Sequence, residues 1–146
     1  MEFLVKCKLF CLLIFLGWEA WIDSREQYID VREAVIFEVV GILFSLCLER
    51  YGAVLMVLLG SIPGVLTMMT AKITNEAIGY GDGLVLIVCG CYLGAGDTAA
   101  MLLLALFLCM PYMLFLLVSG RAQRETEIAF APFLLAAYLC WIGFMK

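Results

Sequence analysis

Gly79-Tyr80-Gly81-Asp82-Gly83-Leu84-Val85-Leu86-Ile87-Val88-Cys89-Gly90-Cys91-Tyr92-Leu93 sets a carboxylate behind two glycines at the mouth of an unbroken apolar run. A run of this kind reads as a helix within a membrane, where a charge at the edge is expensive unless it faces a wet cavity or a partner. Asp82 is therefore a candidate functional residue. What it can do depends on which other acid the fold brings to it.

The rest of the chain repeats the pattern of apolar runs separated by short charged clusters. Of 146 residues 66% are hydrophobic and only 15% charged, more apolar surface than a soluble domain of this size can hide. At about 20 residues per crossing, the runs give six spans: Phe3 to Ile22, Val31 to Leu48, Tyr51 to Ala71, Ile78 to Gly96, Thr98 to Ser119 and Ile128 to Phe144. Backbone groups in hydrocarbon must be satisfied within their own segment, so each run is expected to be helical. The expectation is an all-α, polytopic bundle of six transmembrane helices forming a single domain over residues 1–146. Lys6 and Lys8 before Leu9 to Gly17 resemble a signal peptide, but no small-x-small cleavage site follows, so this segment is read as the first span.

The first, third and fifth connections (Asp23 to Asp30, Lys72 to Glu76, Arg121 to Glu127) are long and polar and share one side of the bilayer, while Glu49-Arg50 and Asp97 mark short turns on the other. Arg25, Arg32, Lys72, Arg121 and Arg124 on the long-loop side outnumber Lys6, Lys8, Arg50 and Lys146, which favours long loops in the cytoplasm. Pro63, Pro111 and Pro132 fall within spans three, five and six, where each removes a backbone donor and permits a bend. Gly60-Ser61-Ile62-Pro63-Gly64 has the small-xxx-small spacing that lets helices approach closely, read here as packing within the chain.

Helix parity selects the partner of Asp82. Asp23 closes the first span, and two further crossings return the chain to the same side before Asp82 opens the fourth. Gly94-Ala95-Gly96-Asp97 repeats the Gly-x-Gly-Asp pattern, but fifteen helical residues carry Asp97 about 22 Å away, so it reads as a turn residue capping the fifth helix. Asp30 shares the side of Asp82 and reads as the N-cap of the second helix. Asp82 itself is placed one turn inside a helix starting near Ile78, with Gly79 and Gly81 leaving room for a substrate backbone. Two carboxylates at one membrane edge do not comfortably both ionise, so Asp23 and Asp82 would share a proton. The ionised member takes a proton from water as it attacks a peptide carbonyl, and the protonated member polarises that carbonyl. Glu38, inside the second span, is a candidate for lining the substrate path. Glu19, four residues before Asp23, reads as an interfacial residue whose head snorkels to water.

Other chemistries have little support. The chain has no histidine, and its seven cysteines lie in apolar runs without Cys-x-x-Cys spacing, so no metal or other cofactor is expected and the thiols read as packing residues. A net charge of -4 with no basic patch argues against nucleic acid as a partner.

Asp23-Ser24-Arg25 followed by Ile29, Gly79-Tyr80-Gly81-Asp82 about sixty residues later, and Phe130-Ala131-Pro132-Phe133 opening a last helix resemble the type IV prepilin leader peptidases and archaeal preflagellin peptidases. These are six-helix aspartic proteases of the Gly-x-Gly-Asp type. The resemblance implies a catalytic pair at Asp23 and Asp82, prepilin-like precursor peptides as substrates, and a multi-pass place in the bacterial cytoplasmic membrane. The chain departs from the family in having Ile29-Asp30-Val31 where Ile-Pro-Asn is common, and Gly83-Leu84 where a Val-Lys pair is common. It is similar to the short, Flp-type form without a methyltransferase region. The alternative is a small membrane transporter or a pilus or secretion assembly subunit whose carboxylates bind protons or cations.

Overall fold

The computed structural model describes residues 2–26, 29–49, 52–74, 79–119 and 128–144. Most of the long polar connections, with Arg121 and Arg124, lie outside the described residues, as do Arg50, Tyr51, Ile78 and Lys146. Among the described residues every regular element is helical: α1 (Glu2–Glu26), α2 (Val31–Glu49), α3 (Ala53–Gly60), α4 (Ile62–Ile73), α5 (Tyr80–Leu93), α6 (Ala95–Val118) and α7 (Ala131–Phe144).

Helices α3 and α4 form one interrupted rod in place of the single third span, with the break beside Pro63, where a bend is expected. Pro63 has no N–H to continue the ladder, so the rod breaks at Ser61, whose hydroxyl donates to the Leu58 carbonyl at 2.9 Å. Pro132 likewise stands in the first turn of its helix, and only Pro111 lies inside one. Two further boundaries differ from the sequence expectation. Asp97 is an exposed residue in the first turn of α6, which Gly94 rather than Asp97 introduces. Gly94 has φ 82, a conformation that a side chain would strain, and it ends α5 and starts α6 in a single residue. Helices α5 and α7 have 14 residues each, too short alone to cross about 30 Å of hydrocarbon. The stretches Ala53–Ile73 and Ala95–Val118 are long and apolar enough to cross a membrane.

Helix α5 is the centre of the bundle. It touches α1, α2, α3, α4 and α6, and most of its residues are buried, including Val85, Leu86, Val88, Cys89 and Tyr92. A helix wrapped on several sides has no polar face to spare, which is why Gly83 to Leu93 reads as continuously apolar. Its closest neighbour is the α3–α4 rod. A Cβ on Gly60 would land on the carbonyl of Gly90 and one on Gly90 on the carbonyl of Gly60, while a Cβ on Gly64 would stand 2.6 Å from the carbonyl oxygen of Gly83. The small-xxx-small spacing thus serves contact within the chain, backbone on backbone.

Polar ties between helices lie inside. Tyr138 Oη donates to the Leu9 carbonyl at 2.7 Å, fixing α7 to α1, and Tyr92 Oη donates to the Phe37 carbonyl at 3.0 Å, fixing α5 to α2. Lys8 is buried, and its Nζ donates to Ser45 Oγ at 3.2 Å, which in turn donates to the Cys91 carbonyl at 2.8 Å. Lys8 is thus a packing element of the bundle rather than a loop charge, which removes one of the cations that opposed a cytoplasmic long-loop side. The outer faces carry large exposed apolar side chains, Val39, Leu43, Leu58, Leu103, Phe107 and Leu114 among them. So broad an apolar exterior is suited to lipid contact.

The glycine seam makes a sharp prediction. Gly90→Ala drives a methyl into a backbone that cannot yield and should cost about 2 kcal/mol, the range typical of overpacking. Gly17 has nothing within 4 Å of its would-be Cβ. Gly17→Ala should therefore be neutral, or stabilising by up to about 1 kcal/mol through helix propensity. Thermal melts of the two variants in one detergent check this, with Gly90→Ala below the parent and Gly17→Ala not below it.

Candidate active site

Three chain segments distant in sequence converge at one end of the bundle. Asp23 lies in the last turn of α1, Asp82 in the first turn of α5, and the N-terminus of α7 faces Asp23. The first turn of any helix has backbone N–H groups without internal partners and a partial positive charge. Here the N–H of Ala131 donates to Asp23 Oδ2 at 3.0 Å, and the N–H of Phe130 assists. Pro132, which has no N–H to offer, sits in that same turn, where the loss is cheap. Asp23 is only 7% exposed, and burial lifts its carboxyl above the ordinary aspartate range against the opposing pull of those donors.

The negative charge of Asp23 bears on Asp82, so the two carboxylates lie at the same end of the bundle. Helix α5 starts at Tyr80, with Gly79 as an extended N-cap, so Asp82 occupies the third helical residue rather than lying a full turn inside a helix from Ile78. The two glycines before it have local uses. A Cβ on Gly79 would stand 3.0 Å from Asp82 Oδ2, crowding the carboxylate, and one on Gly81 would stand 2.7 Å from Ile29 Cδ1. Ile29 is itself buried, and it lays the end of the α1–α2 connection against the start of α5. The smallness of Gly79 and Gly81 is thus already used inside the protein, to seat the carboxylate and the Ile29 side chain.

The remaining acids separate clearly. Asp30 caps α2 as expected: its Oδ1 accepts the Arg32 N–H at 2.9 Å. Glu38 follows Phe37, whose carbonyl accepts from Tyr92 near the end of α5, so it lies towards the opposite end of that helix from Asp82. Glu19 does not snorkel. It is fully buried, one turn before Asp23, and among the described residues neither of its oxygens has a hydrogen-bond partner. A helix run as apolar as Leu9 to Gly17 gives its last residues no guaranteed outlet, because burial is decided by the neighbours α2, α5 and α7 and not by the run itself.

Two contributors escaped sequence reasoning. The Ala131 N–H is backbone, and only the motif Phe130-Ala131-Pro132-Phe133, with a proline able to start a helix, hinted at an N-terminus there. Cys109 of α6 is close enough to be reached by the charge of Asp82, although nothing in Leu108-Cys109-Met110 distinguishes it from packing. Among the described residues no group of three or more acids and cysteines could hold a metal ion.

No curated protein and no solved structure matches the chain. A model of the type IV leader peptidase family matches residues 9–114, which include Asp23, Ile29, Gly79, Gly81 and Asp82 and stop short of α7. That match covers well over half of the chain, and with it the protein belongs to the type IV leader peptidase family.

Proposed function

We propose that this chain is a membrane aspartic endopeptidase that removes the basic leader of type IV, Flp-like prepilins or related precursors, with Asp23 and Asp82 as its acid–base pair. The observation that carries the reading is the convergence of those two carboxylates, 59 positions apart in sequence, beside the N-terminus of α7. On this reading all six rods cross or enter the cytoplasmic membrane of a bacterium, with the α1–α2 connection and the start of α5 at the cytoplasmic surface.

The chemistry follows from a pair holding one proton. The ionised carboxyl takes a proton from water while the water oxygen bonds to the scissile carbonyl carbon, and the protonated carboxyl donates to the carbonyl oxygen. The carbon–nitrogen bond then breaks as the amine takes a proton from the pair, leaving a free acid and a free amine. Because the pair titrates as a unit, neither residue has a fixed role. The α7 N–H groups stabilise Asp23 in its charged form, and Gly79 keeps the approach to Asp82 open. The precursor's extended backbone would pass over Gly79 and Gly81, whereas Glu38 stands too deep to touch the scissile peptide.

Asp23→Asn and Asp82→Asn should each abolish cleavage of a co-expressed precursor, read by its mobility shift, whereas Cys109→Ala should retain it. Full cleavage by either Asn variant would overturn the assignment. Cation or proton flux in reconstituted vesicles, lost in Asp82→Asn and unaccompanied by cleavage, would instead support a transporter.

Stability supplies an independent check. The folded-state pKa of Asp23 is raised, so its contribution is fully present below the unfolded pKa of about 3.9 and is lost as pH rises through the folded value. Asn keeps an acceptor for the Ala131 N–H without that charge. Asp23→Asn should therefore melt at or above the parent at pH 8, and the difference should shrink below pH 4.

A further inference from the structure

Helix α1 turns Glu19 and Asp23 into the bundle and carries a second pattern on its outer side. Ile14, Trp18, Trp21 and Arg25 follow one another at intervals of four, three and four residues, the spacing that lines side chains up along a helix, and all four are exposed. They touch along that line. The Arg25 guanidinium lies 5.0 Å over the ring of Trp21, whose centroid is 5.8 Å from that of Trp18 in an edge-on arrangement. Trp18 then walls a groove of about 300 Å³ between α1 and α2, lined also by Ile14, Glu33, Ile36 and Phe37. Glu33 Oε2 accepts the Trp18 Nε1–H at 2.6 Å, so its carboxylate is engaged by the indole and the other walls of the groove are hydrocarbon.

A cation above an apolar groove, with two indoles between, has the polarity of a single phospholipid. The lengths agree. Eleven helical residues from Ile14 to Arg25 rise about 16 Å, close to the depth of one leaflet of a hydrocarbon core about 30 Å thick. The level agrees as well. Among the described residues the exposed tryptophans and tyrosines are Trp18, Trp21, Tyr80 and Tyr112. Tyr80 is the first residue of α5, and Tyr112 packs 5.7 Å from Phe133 near the start of α7, so all four lie at the end of the bundle that carries Asp23 and Asp82. Rings with an apolar body and a polar tip gather where hydrocarbon meets headgroups, which sets the phosphate level beside Arg25. A guanidinium matches a phosphate with two parallel hydrogen bonds, and an anionic lipid, unlike a zwitterionic one, brings no ammonium of its own to compete for that phosphate.

We propose that Ile14, Trp18, Trp21 and Arg25 form a binding site for one anionic phospholipid, with its phosphate on Arg25, its glycerol region against the two indoles and an acyl chain in the groove at Ile36 and Phe37. The site rests on the membrane part of the reading above and is independent of the acid–base chemistry. Trp21 and Arg25 flank Asp23 in sequence, so the bound lipid holds the last turn of α1 at headgroup depth.

The test uses the full chain with Trp141→Phe, which leaves Trp18 and Trp21 as its indoles, reconstituted in phosphatidylcholine vesicles. A minor share of the lipid is phosphatidylglycerol brominated on its acyl chains, or phosphatidylcholine brominated at the same carbons, and quenching of indole fluorescence is read against that share. Phosphatidylglycerol should reach half of its full quenching at about one-fifth of the share that phosphatidylcholine needs, as expected of one arginine contact at a membrane surface. Arg25→Gln should remove the difference and Arg25→Lys should keep part of it. Lys72→Gln, at an exposed cation in the last turn of α4 and hence at the same end of the bundle, should leave it unchanged. Equal quenching by the two lipids, a preference that survives Arg25→Gln, or one that Lys72→Gln lowers as much, overturns the site and leaves the membrane reading standing. Protein that fails to float with the vesicles overturns the membrane reading and the site with it.

Discussion

A buried carboxylate keeps its charge most readily where something donates to it, and at Asp23 that donor is the N-terminus of a helix more than a hundred residues away. The contact between the Ala131 N–H and Asp23 Oδ2 joins the last helix to the first. It also fixes the entry point of α7, whose other end is tied by Tyr138 to the Leu9 carbonyl. Helices α1 and α7 are therefore tied together at two levels. A side-chain donor such as lysine would neutralise the acid by forming an ion pair. Backbone N–H groups steady it and leave its charge available.

The opposite wall of the site depends on backbone contact. Asp82 stands on a helix whose position is set by Gly60 against Gly90, backbone on backbone, and by Gly64 against Gly83, where the Ile87 and Met68 side chains also press in. Such a seam has little slack, because carbonyl and Cα cannot change rotamer as a leucine can. Ile29 then connects the two walls by filling the notch at Gly81. Rigid support on both sides is what general acid–base work needs, since small displacements of reacting groups are costly in rate.

Much of this was legible in the sequence because it follows from counting. Apolar runs gave the rods, and parity brought Asp23 and Asp82 to one end while sending Asp97 to the other. The two Gly-x-Gly-Asp matches were separable for the same reason. What was not legible depends on neighbours. The burial of Glu19 and Lys8 is decided by which helices happen to face them, and the polarity of a side chain carries no information about that. Helix ends also moved. Gly94 both stops one helix and starts the next, so a run that looked long enough to span was divided earlier than its hydropathy suggested. Gly79 and Gly81 were visible as small residues at a carboxylate, but their occupants, the Asp82 carboxyl and Ile29, come from the folded arrangement.

The shortness of α5 bears on how water reaches such a site. Helix α5 ends and α6 begins at Gly94, and Cys109 of α6 is near enough to Asp82 to be reached by its charge. Nine further residues of α6, 110 to 118, continue past that level for about 13 Å. Helix α1 ends three residues beyond Asp23. The two carboxylates therefore lie short of the far end of α6. On the membrane reading a helix as short as 14 residues is tolerable where its unpaired N-terminal amides meet water or protein and not lipid. A short central helix and a hydrolytic site near a bilayer surface are thus consequences of a single constraint on where backbone polar groups can be left unpaired.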